Sequence, residues 1–543
     1  MTACGWARTA ALVFGVMLAG CPGWVSLRAQ SPPNASGTYR IAGIAVDAGS
    51  GRPLGRTEVS VELTEGRNFH QTYATGTDGR FSFEGLPAGR YRLSAKRRGC
   101  VAENYEGHGE YWSAIVVGPG LKSDDVRFAM TAGASIVGRV FDERGDPVRD
   151  GTVLLLREVL SGGRRRLTRD DSAGLNDLGA YRFGHREPGT FVVVVIAKPW
   201  YANFYGAPSE ETAAWVKRGD IDTDVVYPAT FYPSAMDAEA AGRIVLEAGE
   251  SATADLTLAP TAAQSVSIKG DSDDPRALVR TVLAWQHIAD GITEMVSTYA
   301  LSGQDTIIIS GLPPGRVDVI WKTGTGKNQQ EHLKSVNFPE RDGANASVPT
   351  IVRGLVESAS GTSLAGATVK LALTNGGKSF SASIGAQGEF EFREELVSGL
   401  YSVEIPQLAD VELGIRARGS DVVGDQLEIQ PGHDVELKIV AGRAARMRGR
   451  AVKNGAGAEG MLVALVPEKF EDANNLMRVG QSDSSGAFEL EKIVPGKYRL
   501  IAVENEWDAD WRSVEFLRRF VGRGKELEIG TGAVVTAEVE TVK

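Results

Sequence analysis

The sequence repeats one hairpin phrase, and this repetition constrains the fold more than any other feature. The clearest copy runs over 78–93, where Phe81 and Phe83 alternate with polar residues before a Leu-Pro-Ala-Gly turn. Alternation with a period of two is typical of a strand with one buried face, and the Asp-Gly and Pro-x-Gly pairs supply the turns. Further copies lie at 179–191, 388–401 and 486–498, and a degraded copy lies at 311–317. The repetition predicts an array of similar all-β modules.

A second shared element, an apolar strand that contains a glycine, precedes each of the four clear hairpins. The strand glycines are Gly43, Gly138, Gly354 and Gly449. The hairpin glycines follow them at a nearly constant distance along the chain, at Gly89, Gly189, Gly399 and Gly496. Constant spacing indicates a fixed order of strand, turn, strand, loop, strand, turn and strand in each copy. Each copy is therefore predicted to be a separate unit with its own core.

These motifs resemble the carboxypeptidase regulatory-like module. The resemblance rests on the strand-Gly-strand-Asp start, the Gly-x-Pro turn and the Asp-Gly-x-Phe-x-Phe hairpin with its Leu-Pro-x-Gly-x-Tyr end. It covers residues 39–259 and 350–543 with good motifs, and residues 260–349 weakly. The resemblance implies a seven-stranded, prealbumin-like β-sandwich, related in shape to Cna-B and starch-binding-like domains. It brings no catalytic residues, because the module occurs beside many different partners.

The expected fold is all-β: a tandem array of about five immunoglobulin-like or prealbumin-like antiparallel β-sandwich domains after an N-terminal signal segment. The 543 residues are enough for several domains, since one domain commonly has about 100–150 residues. The predicted limits are a signal segment at 1–29 and β-sandwiches at 37–131, 132–259, 260–349, 350–441 and 442–543. The third is the most divergent, and the second carries an insertion at 198–235. No stretch after the signal segment shows sustained helical periodicity.

The N-terminus has the composition of an export signal. Arg8 precedes an apolar run over 10–19, which is too short to cross a bilayer as a helix. The segment 18–21 resembles the lipobox of bacterial lipoproteins, which would leave Cys21 acylated and the chain tethered to a membrane. The alternative is cleavage after Ala29, which would release a soluble protein. Both interpretations predict export, to the periplasm, an outer-membrane tether or the extracellular space.

Charge, cysteine content and motifs exclude several classes of protein. The formal net charge of −10 argues against binding to the phosphate backbone of a nucleic acid. Cys100 is the only cysteine beyond the signal segment, so apolar burial rather than disulfide bonds is predicted to stabilise the modules. No His-Glu-x-x-His, Gly-x-Ser-x-Gly, Walker or Cys-x-x-Cys motif occurs. The sequence therefore predicts a protein without catalytic residues, metal or cofactor.

The insertion of the second module differs from the modules around it. Eight aromatic residues lie between 200 and 232, in a chain that is 7% aromatic. The candidate ligand-binding residues are Trp200, Tyr201, Phe204, Tyr205, Trp215, Tyr227, Phe231 and Tyr232. Aromatic rings with Asp and Asn nearby suit the apolar faces and hydroxyls of sugars, and they also hold extended peptides. The alternative is that these rings pack against an open end of the sandwich, and the smaller cluster at 507–511 has the same two interpretations.

Three classes of function fit the sequence. The first is a non-catalytic, exported structural and interaction protein of the cell envelope, elongated in shape, that binds a glycan or a peptide and has an envelope protein as a further partner. The second is a dedicated carbohydrate-binding protein that uses the aromatic insertion. Coplanar, exposed rings in the insertion would support this function. The third is an accessory subunit of an envelope peptidase or an outer-membrane transporter. The first is the predicted function, with membrane contact only through a lipid anchor at Cys21.

Overall fold

The computed structural model describes residues 38–66, 68–161, 164–202, 225–269, 281–289, 291–296, 299–302, 306–323, 330–338, 350–374, 379–392, 396, 399–408, 411–423, 426–429 and 433–543. The predicted signal segment with Cys21, and the predicted site residues Phe204, Tyr205 and Trp215, lie outside these residues. Strands dominate the described chain, and its helices are short and lie near the C-terminus. The all-β prediction is confirmed. The strands of the described residues are grouped into five units in chain order, and the number of strands in each unit counts those residues only.

The first unit has eight strands: β1 (Tyr39–Asp47), β2 (Glu58–Leu63), β3 (His70–Ala74), β4 (Arg80–Leu86), β5 (Gly89–Lys96), β6 (Glu103–Asn104), β7 (Ile115–Val117) and β8 (Val126–Met130). Strands β4, β1 and β8 form one sheet, and the other five form the second. The core between the sheets includes Phe81, Phe83 and Tyr91, as the alternation predicts. The Tyr91 hydroxyl donates to the carbonyl oxygen of Pro87 at 3.0 Å and so closes the hairpin turn.

The second unit has eleven strands: β9 (Ala134–Phe141), β10 (Gly151–Ser161), β11 (Arg164–Gly174), β12 (Ala180–Arg186), β13 (Gly189–Ala197), β14 (Val225–Val226), β15 (Thr230–Phe231), β16 (Ile244–Leu246), β17 (Ser251–Thr253), β18 (Leu256–Thr257) and β19 (Thr261–Ala262). Strand β9 pairs with β12, β17 and β18 on one side of the sandwich. The other side consists of β11, β10, β13, β15 and β16, while β14 pairs with β19.

The third unit has seven strands: β20 (Gln264–Lys269), β21 (Thr281–Ala289), β22 (Ile292–Val296), β23 (Tyr299–Ser302), β24 (Thr306–Leu312), β25 (Gly315–Thr323) and β26 (Gln330–Phe338). Strands β20, β24 and β23 form one sheet, and β22, β21, β25 and β26 form the other. The divergent stretch of sequence therefore also folds as two facing sheets.

The fourth unit has nine strands: β27 (Val352–Ser358), β28 (Thr368–Leu373), β29 (Ser379–Ser383), β30 (Glu389–Phe392), β31 (Gly399–Glu404), β32 (Val411–Arg418), β33 (Val422–Val423), β34 (Gln426–Ile429) and β35 (Val435–Arg443). One sheet has the order β30-β27-β35-β32, and the other has the order β29-β28-β31-β34-β33.

The fifth unit has eight strands: β36 (Ala445–Lys453), β37 (Ala456–Gly457), β38 (Leu462–Pro467), β39 (Arg478–Gln481), β40 (Ala487–Ile493), β41 (Gly496–Val503), β42 (Lys525–Ile529) and β43 (Val534–Val542). It also has the helices α1 (Ala473–Leu476) and α2 (Val514–Phe520), with 3-10 turns at Phe470–Asp472 and Val521–Arg523. Strand β43 pairs with both β36 and β41 and joins all eight strands into one sheet.

The short helix α2 is an element that the sequence analysis missed. The hydroxyl of Ser513 accepts a hydrogen bond from the N–H of Phe516 at 3.2 Å and caps its N-terminus. Phe516, Leu517 and Phe520 pack on the outer face of β38 and β41. The signal was present as an N-cap serine before apolar residues at helical spacing, but it is only two turns long.

The strand glycines have one structural reason in four of the units. In each of these units the strand with the glycine runs parallel to a later segment, whose backbone passes directly over the glycine. A Cβ atom would lie very close to a carbonyl oxygen of that segment: 2.0 Å at Gly43, 2.1 Å at Gly138, 2.1 Å at Gly354 and 2.4 Å at Gly449. No side chain fits at such distances, so the motif encodes a close backbone contact between the first and last parts of each unit.

Each unit has a hydrophobic cluster of its own, and a further cluster lies across the second and third units. Val153 and Leu155 of β10 face the core of the second sandwich, whereas Leu154 and Leu156 face outward. The outward residues are fully buried in a cluster that contains Phe231 of the same unit and Ile288 of the third. Strands β10 and β13 are apolar on both faces for this reason, in contrast to the alternation of the hairpin at 78–93.

The chain folds back on itself, so the expectation of an elongated array is wrong. The N–H of Ser484, in the fifth unit, donates to the carbonyl oxygen of Ala114, in the first, at 3.0 Å. Arg164 of the second unit pairs with Asp421 of the fourth at 2.5 Å. The N–H of Ile415 donates to Asn475 Oδ1 at 3.0 Å and links the fourth unit to the fifth. Distant units therefore meet, which one-dimensional spacing along the sequence does not reveal. Among the described helices, none has the length and apolar character of a membrane span.

Candidate functional site

The described aromatic residues of the insertion do not form one flat surface. Trp200 is 81% exposed, whereas Tyr227 and Phe231 are buried and Tyr232 packs at the edge of the second core. The rings of Trp200 and Tyr201 meet edge to face, with centroids 5.7 Å apart and planes at 89°. Among the described rings of the insertion, Trp200 is thus the one with a large exposed surface. The ligand-binding role of this set stays a prediction.

One carboxylate holds the two ends of the insertion together. The Tyr201 hydroxyl donates to Glu143 Oε1 at 2.8 Å, and the Tyr227 hydroxyl donates to Glu143 Oε2 at 3.1 Å. Burial and the adjacent carboxylate raise the pKa of Tyr201 to about 12. The same two causes raise the pKa of Tyr227 above its ordinary value. Both hydroxyls therefore remain hydrogen-bond donors at neutral pH and anchor the insertion to the turn after β9.

A cavity lies where the first, second and fifth units meet. Its volume is about 790 Å³, which is within the size range of common ligand sites. The first unit contributes residues 107–111, the second contributes 157–160, and the fifth contributes 507–512. Because three units form its walls, this cavity exists only when they are assembled.

Trp507 is the centre of the aromatic wall of this cavity. The His108 ring stacks on it with centroids 4.7 Å apart and planes at 8°, and Tyr111 lies at 5.4 Å with planes at 33°. The Trp507 Nε1 donates to the carbonyl oxygen of Gly460 at 3.0 Å, which fixes the ring. The sequence analysis pointed to 507–511 but missed His108 and Tyr111. A lone histidine in a loop carries no pattern, and its partner lies in another unit.

Carboxylates outnumber guanidinium groups around the cavity. The charged lining residues are Glu103, Glu110, Glu158, Glu187, Asp508, Asp510, Arg157 and Arg512. Arg157 pairs with Glu187 at 2.7 Å, and the guanidinium of Arg512 stacks on Trp511 at 4.6 Å. Burial raises the pKa of Glu103. The lining thus combines aromatic surface with acceptor oxygens, which hydroxyl and N–H groups of sugars and peptides require.

A second cavity, of about 1130 Å³, lies on the outer face of the β30-β27-β35-β32 sheet. Seven of its sixteen lining residues are charged. The ion pairs at this cavity include Arg353 with Glu436 at 2.9 Å, Arg416 with Asp472 at 2.8 Å and Lys438 with Glu357 at 2.7 Å. The one aromatic residue in its lining, Phe390, is buried in the core of the fourth unit. This cavity offers less aromatic surface than the cavity between the three units.

The polar clusters of the described residues do not form a recognisable catalytic arrangement. The tightest is in the third unit, where His287 Nε2 lies 2.8 Å from Asp318 Oδ2 and the Ser335 hydroxyl donates to Asp318 Oδ1. The fully buried carboxylate binds both groups, so the histidine is not placed between the acid and the hydroxyl as a proton relay requires. Within the described ranges, no three His, Cys, Asp or Glu side chains are grouped to hold a metal ion.

Comparison with known families identifies the first unit. The model of the carboxypeptidase regulatory-like domain matches residues 34–131, and the resemblance of this module is therefore confirmed. No curated protein matches the sequence.

Solved structures similar to the chain include pilins of bacteria. The Bacillus anthracis TIE protein is 8% identical to this chain and has a TM-score of 0.15. The match covers 94% of this chain and 76% of the TIE protein. The full-length major pilin RrgB from Streptococcus pneumoniae is 9% identical and has a TM-score of 0.18, and the match covers 93% of this chain and 100% of the pilin. The shaft pilin spaA from Lactobacillus rhamnosus GG is 10% identical and has a TM-score of 0.19, and the match covers 41% of this chain and 96% of the pilin. TM-scores this low carry no argument about function.

Proposed function

We propose that the protein is a non-catalytic, exported interaction protein of the cell envelope that holds a glycan or a peptide in the cavity between its first, second and fifth units. The observation that supports this most directly is the aromatic and acidic lining of that cavity of about 790 Å³. Ligand sites commonly combine apolar rings with a few polar groups that orient the ligand. The five units act as the frame that brings the walls together.

Two exposed carboxylates test the cavity without disturbing a core. Glu110 lies on the wall of the first unit and Asp508 on the wall of the fifth, and both are exposed. The double variant Glu110→Gln/Asp508→Asn keeps the size of both side chains and removes two charged acceptors. We expect it to weaken ligand binding about tenfold or more, because hydrogen bonds to charged groups contribute about 1.5–3 kcal/mol each. The matched control is Glu84→Gln, an exposed position on β4 outside the cavity lining.

The experiment is a binding screen of the chain from Gln30 onward against arrays of glycans, peptidoglycan fragments and peptides. The proposal expects a bound member, weaker binding by the double variant and unchanged binding by Glu84→Gln. If no array member binds the wild-type chain, glycan or peptide binding is rejected. If the double variant binds normally while Trp200→Ala does not, the site is the aromatic insertion.

The exposed ring of Trp200 favours this second candidate, a dedicated carbohydrate-binding protein. An exposed indole presents a flat apolar face to which a sugar ring can bind. Under either candidate we propose export, with acylation of Cys21 or cleavage after Ala29 as the two routes. Mass spectrometry of the mature N-terminus from a native membrane fraction distinguishes these routes.

A further inference from the structure

We infer that the contact between the first and fifth units is a releasable clasp, whose opening separates the walls of the three-unit cavity while each unit stays folded. The clasp consists of Arg90 and residues 106–116 on one side, and residues 481–484 with Trp507 on the other. Only the ligand arm of its test rests on the proposed function. The clasp itself is argued from contacts within the chain.

Hydrogen bonds from short polar residues form the middle of the clasp. The N–H of Ser484 donates to the carbonyl oxygen of Ala114 at 3.0 Å, and the Ser484 hydroxyl accepts from the N–H of Val116 at 2.8 Å. The Ser113 hydroxyl donates to the carbonyl oxygen of Ser482 at 2.9 Å. Backbone groups on both sides are used, so the two loops are held in one register.

The side chain of Gln481 makes several contacts across the clasp. Its Nε2 donates to the carbonyl oxygen of Glu106 at 2.6 Å and to the Ser113 hydroxyl at 2.9 Å. Its Oε1 lies 3.3 Å from His108 Nδ1. These three partners all belong to the first unit. Truncation of Gln481 therefore weakens the clasp without removing a contact from the core of the fifth unit.

A buried carboxylate of the fifth unit, that of Asp483, has its cationic partner in the first unit. Asp483 is 1% exposed, and its Oδ2 lies 3.2 Å from Nε of Arg90. The other oxygen, Oδ1, accepts from the N–H groups of Ser485 and Ala487 at 2.9 Å each and shapes the turn of its own hairpin. Without Arg90, the second oxygen would be buried with no cation, which is a costly arrangement. Arg90 thus favours the closed clasp, while Asp483 is also needed by its own turn.

The clasp differs in kind from the core of either unit. Ile115 belongs to the buried cluster of the first sandwich, and Trp507 packs against an outer cluster of the fifth, but no hydrophobic cluster of the described residues contains side chains from both units. Its aromatic part, the stack of His108 on Trp507, lies at the wall of the cavity. Interfaces of this type, polar and without a shared apolar core, permit relative motion of the domains that they join.

Opening of the clasp would take apart the two walls that carry the aromatic groups of the cavity. A ligand that contacts both walls binds the closed form more tightly than the open form. By thermodynamic linkage, it must stabilise closure by the same factor by which closure raises its affinity. The clasp therefore couples the arrangement of the first and fifth units to occupancy of the cavity.

The first arm of the test uses no ligand. Small-angle X-ray scattering and amide hydrogen exchange are measured on the chain from Gln30 onward and on the variant Arg90→Ala/Gln481→Ala. We expect a larger radius of gyration for the variant and exchange about tenfold or more faster at the N–H groups of Val116 and Ser484. The core strands β5 and β41 should keep wild-type protection.

The matched control for this arm is Arg80→Ala/Gln71→Ala, which changes the same residue types in the first unit. Arg80 pairs with Asp78 in its own unit at 3.9 Å, with both side chains well exposed. This control should scatter like the wild type. An unchanged radius and unchanged exchange in the clasp variant would overturn the inference, and so would loss of protection throughout β5 or β41.

The second arm tests the coupling. A disaccharide-pentapeptide fragment of peptidoglycan, which carries both a glycan and a peptide, is titrated calorimetrically into the wild-type chain and the clasp variant. Coupling predicts affinity about tenfold lower for the variant, within the usual range for linked sites. Equal affinity would overturn the coupling. A wild-type chain that does not bind this fragment counts against the proposed function alone, because scattering and exchange decide on the clasp.

Discussion

Two contacts between units differ in chemistry: the junction between the second and third units is apolar, and the clasp between the first and fifth is polar. At the junction, Leu154 and Leu156 pack with Ile288 and Ile292 in a cluster that excludes water. At the clasp, hydrogen bonds, one ion pair with a buried carboxylate and a ring stack connect the two units, with no apolar cluster between them. Two units that share a core should separate only with partial unfolding, whereas hydrogen-bonded units can part and remain folded.

The difference shows how one kind of module serves two purposes. A sandwich whose sheet is apolar on both faces shares an apolar cluster with its neighbour, as β10 and β13 do. A sandwich whose outer surface is polar makes contacts that a ligand or a change of pH can shift. Substitutions in a core, at the junction and at the clasp should therefore differ in their effect on stability, with the largest loss in the core.

Truncation of Tyr91 sets the upper end of this scale. Its ring is fully buried in the first core, and its hydroxyl donates to the Pro87 carbonyl oxygen. Tyr91→Ala should lower the free energy of unfolding by about 3–5 kcal/mol, as loss of a core aromatic residue does. Chemical denaturation of the chain measures it. A loss below about 0.5 kcal/mol would show that this ring does not face the core.

Truncation of Leu156 tests whether the junction behaves as a core. The side chain is fully buried in the cluster that residues of the second and third units form together. Leu156→Ala should cost about 2–5 kcal/mol in the unfolding of the second and third units together. The control is Leu160→Ala on the same strand, where the side chain is 55% exposed. If both variants unfold like the wild type, burial of Leu156 does not stabilise the junction, and the junction does not differ from the clasp in this respect.

The pH dependence of the clasp follows from Glu459. Burial, with a smaller effect of Glu106, raises the pKa of this carboxyl above its ordinary value of 4.5, and the carboxyl lies beside Tyr105 of the first unit and near Asp483. Because Glu106 belongs to the first unit, we expect the closed form to hold the proton of Glu459 more tightly than the open form does. Closure is most stable below the ordinary pKa and loses stability as the pH rises from there through the raised pKa.

Scattering measured over this pH range should show a larger radius at the upper end, and Glu459→Gln should reduce the change because the amide cannot ionise. The matched control is Glu489→Gln, which removes a carboxylate of the same unit that pairs with Arg448 at 3.0 Å, away from the clasp. A pH response that is the same in wild type and Glu459→Gln would assign it to other groups.

The smallest effect is expected for Gln481→Ala on the stability of the fifth unit. Because the described bonds of this side chain go to the first unit, the unfolding free energy of the fifth unit should change by less than about 0.5 kcal/mol. Exchange at the Val116 N–H, in contrast, should become faster. A large loss of stability in the fifth unit would show that the clasp belongs to its core, like the junction.

Much of the fold could be predicted from local sequence. Phe81, Phe83 and Tyr91 are buried as their alternation indicates, and the same hairpin recurs with Tyr401 and Tyr498 in later cores. The helix α2 was missed because two turns give little periodicity. For the aromatic insertion, composition did not distinguish the exposed Trp200 from the buried Tyr227, because burial of a ring depends on which surface reaches it.

Local sequence is enough to predict the all-β class, the turns and the glycine positions, because these depend on neighbouring residues and on backbone sterics within one unit. The contacts of Gln481 with Ser113 and of Trp507 with His108 are visible only in the folded chain. Such contacts join surface groups of two separately folded units. Local patterns do not encode them, since each group would be equally satisfied by water if the units lay apart.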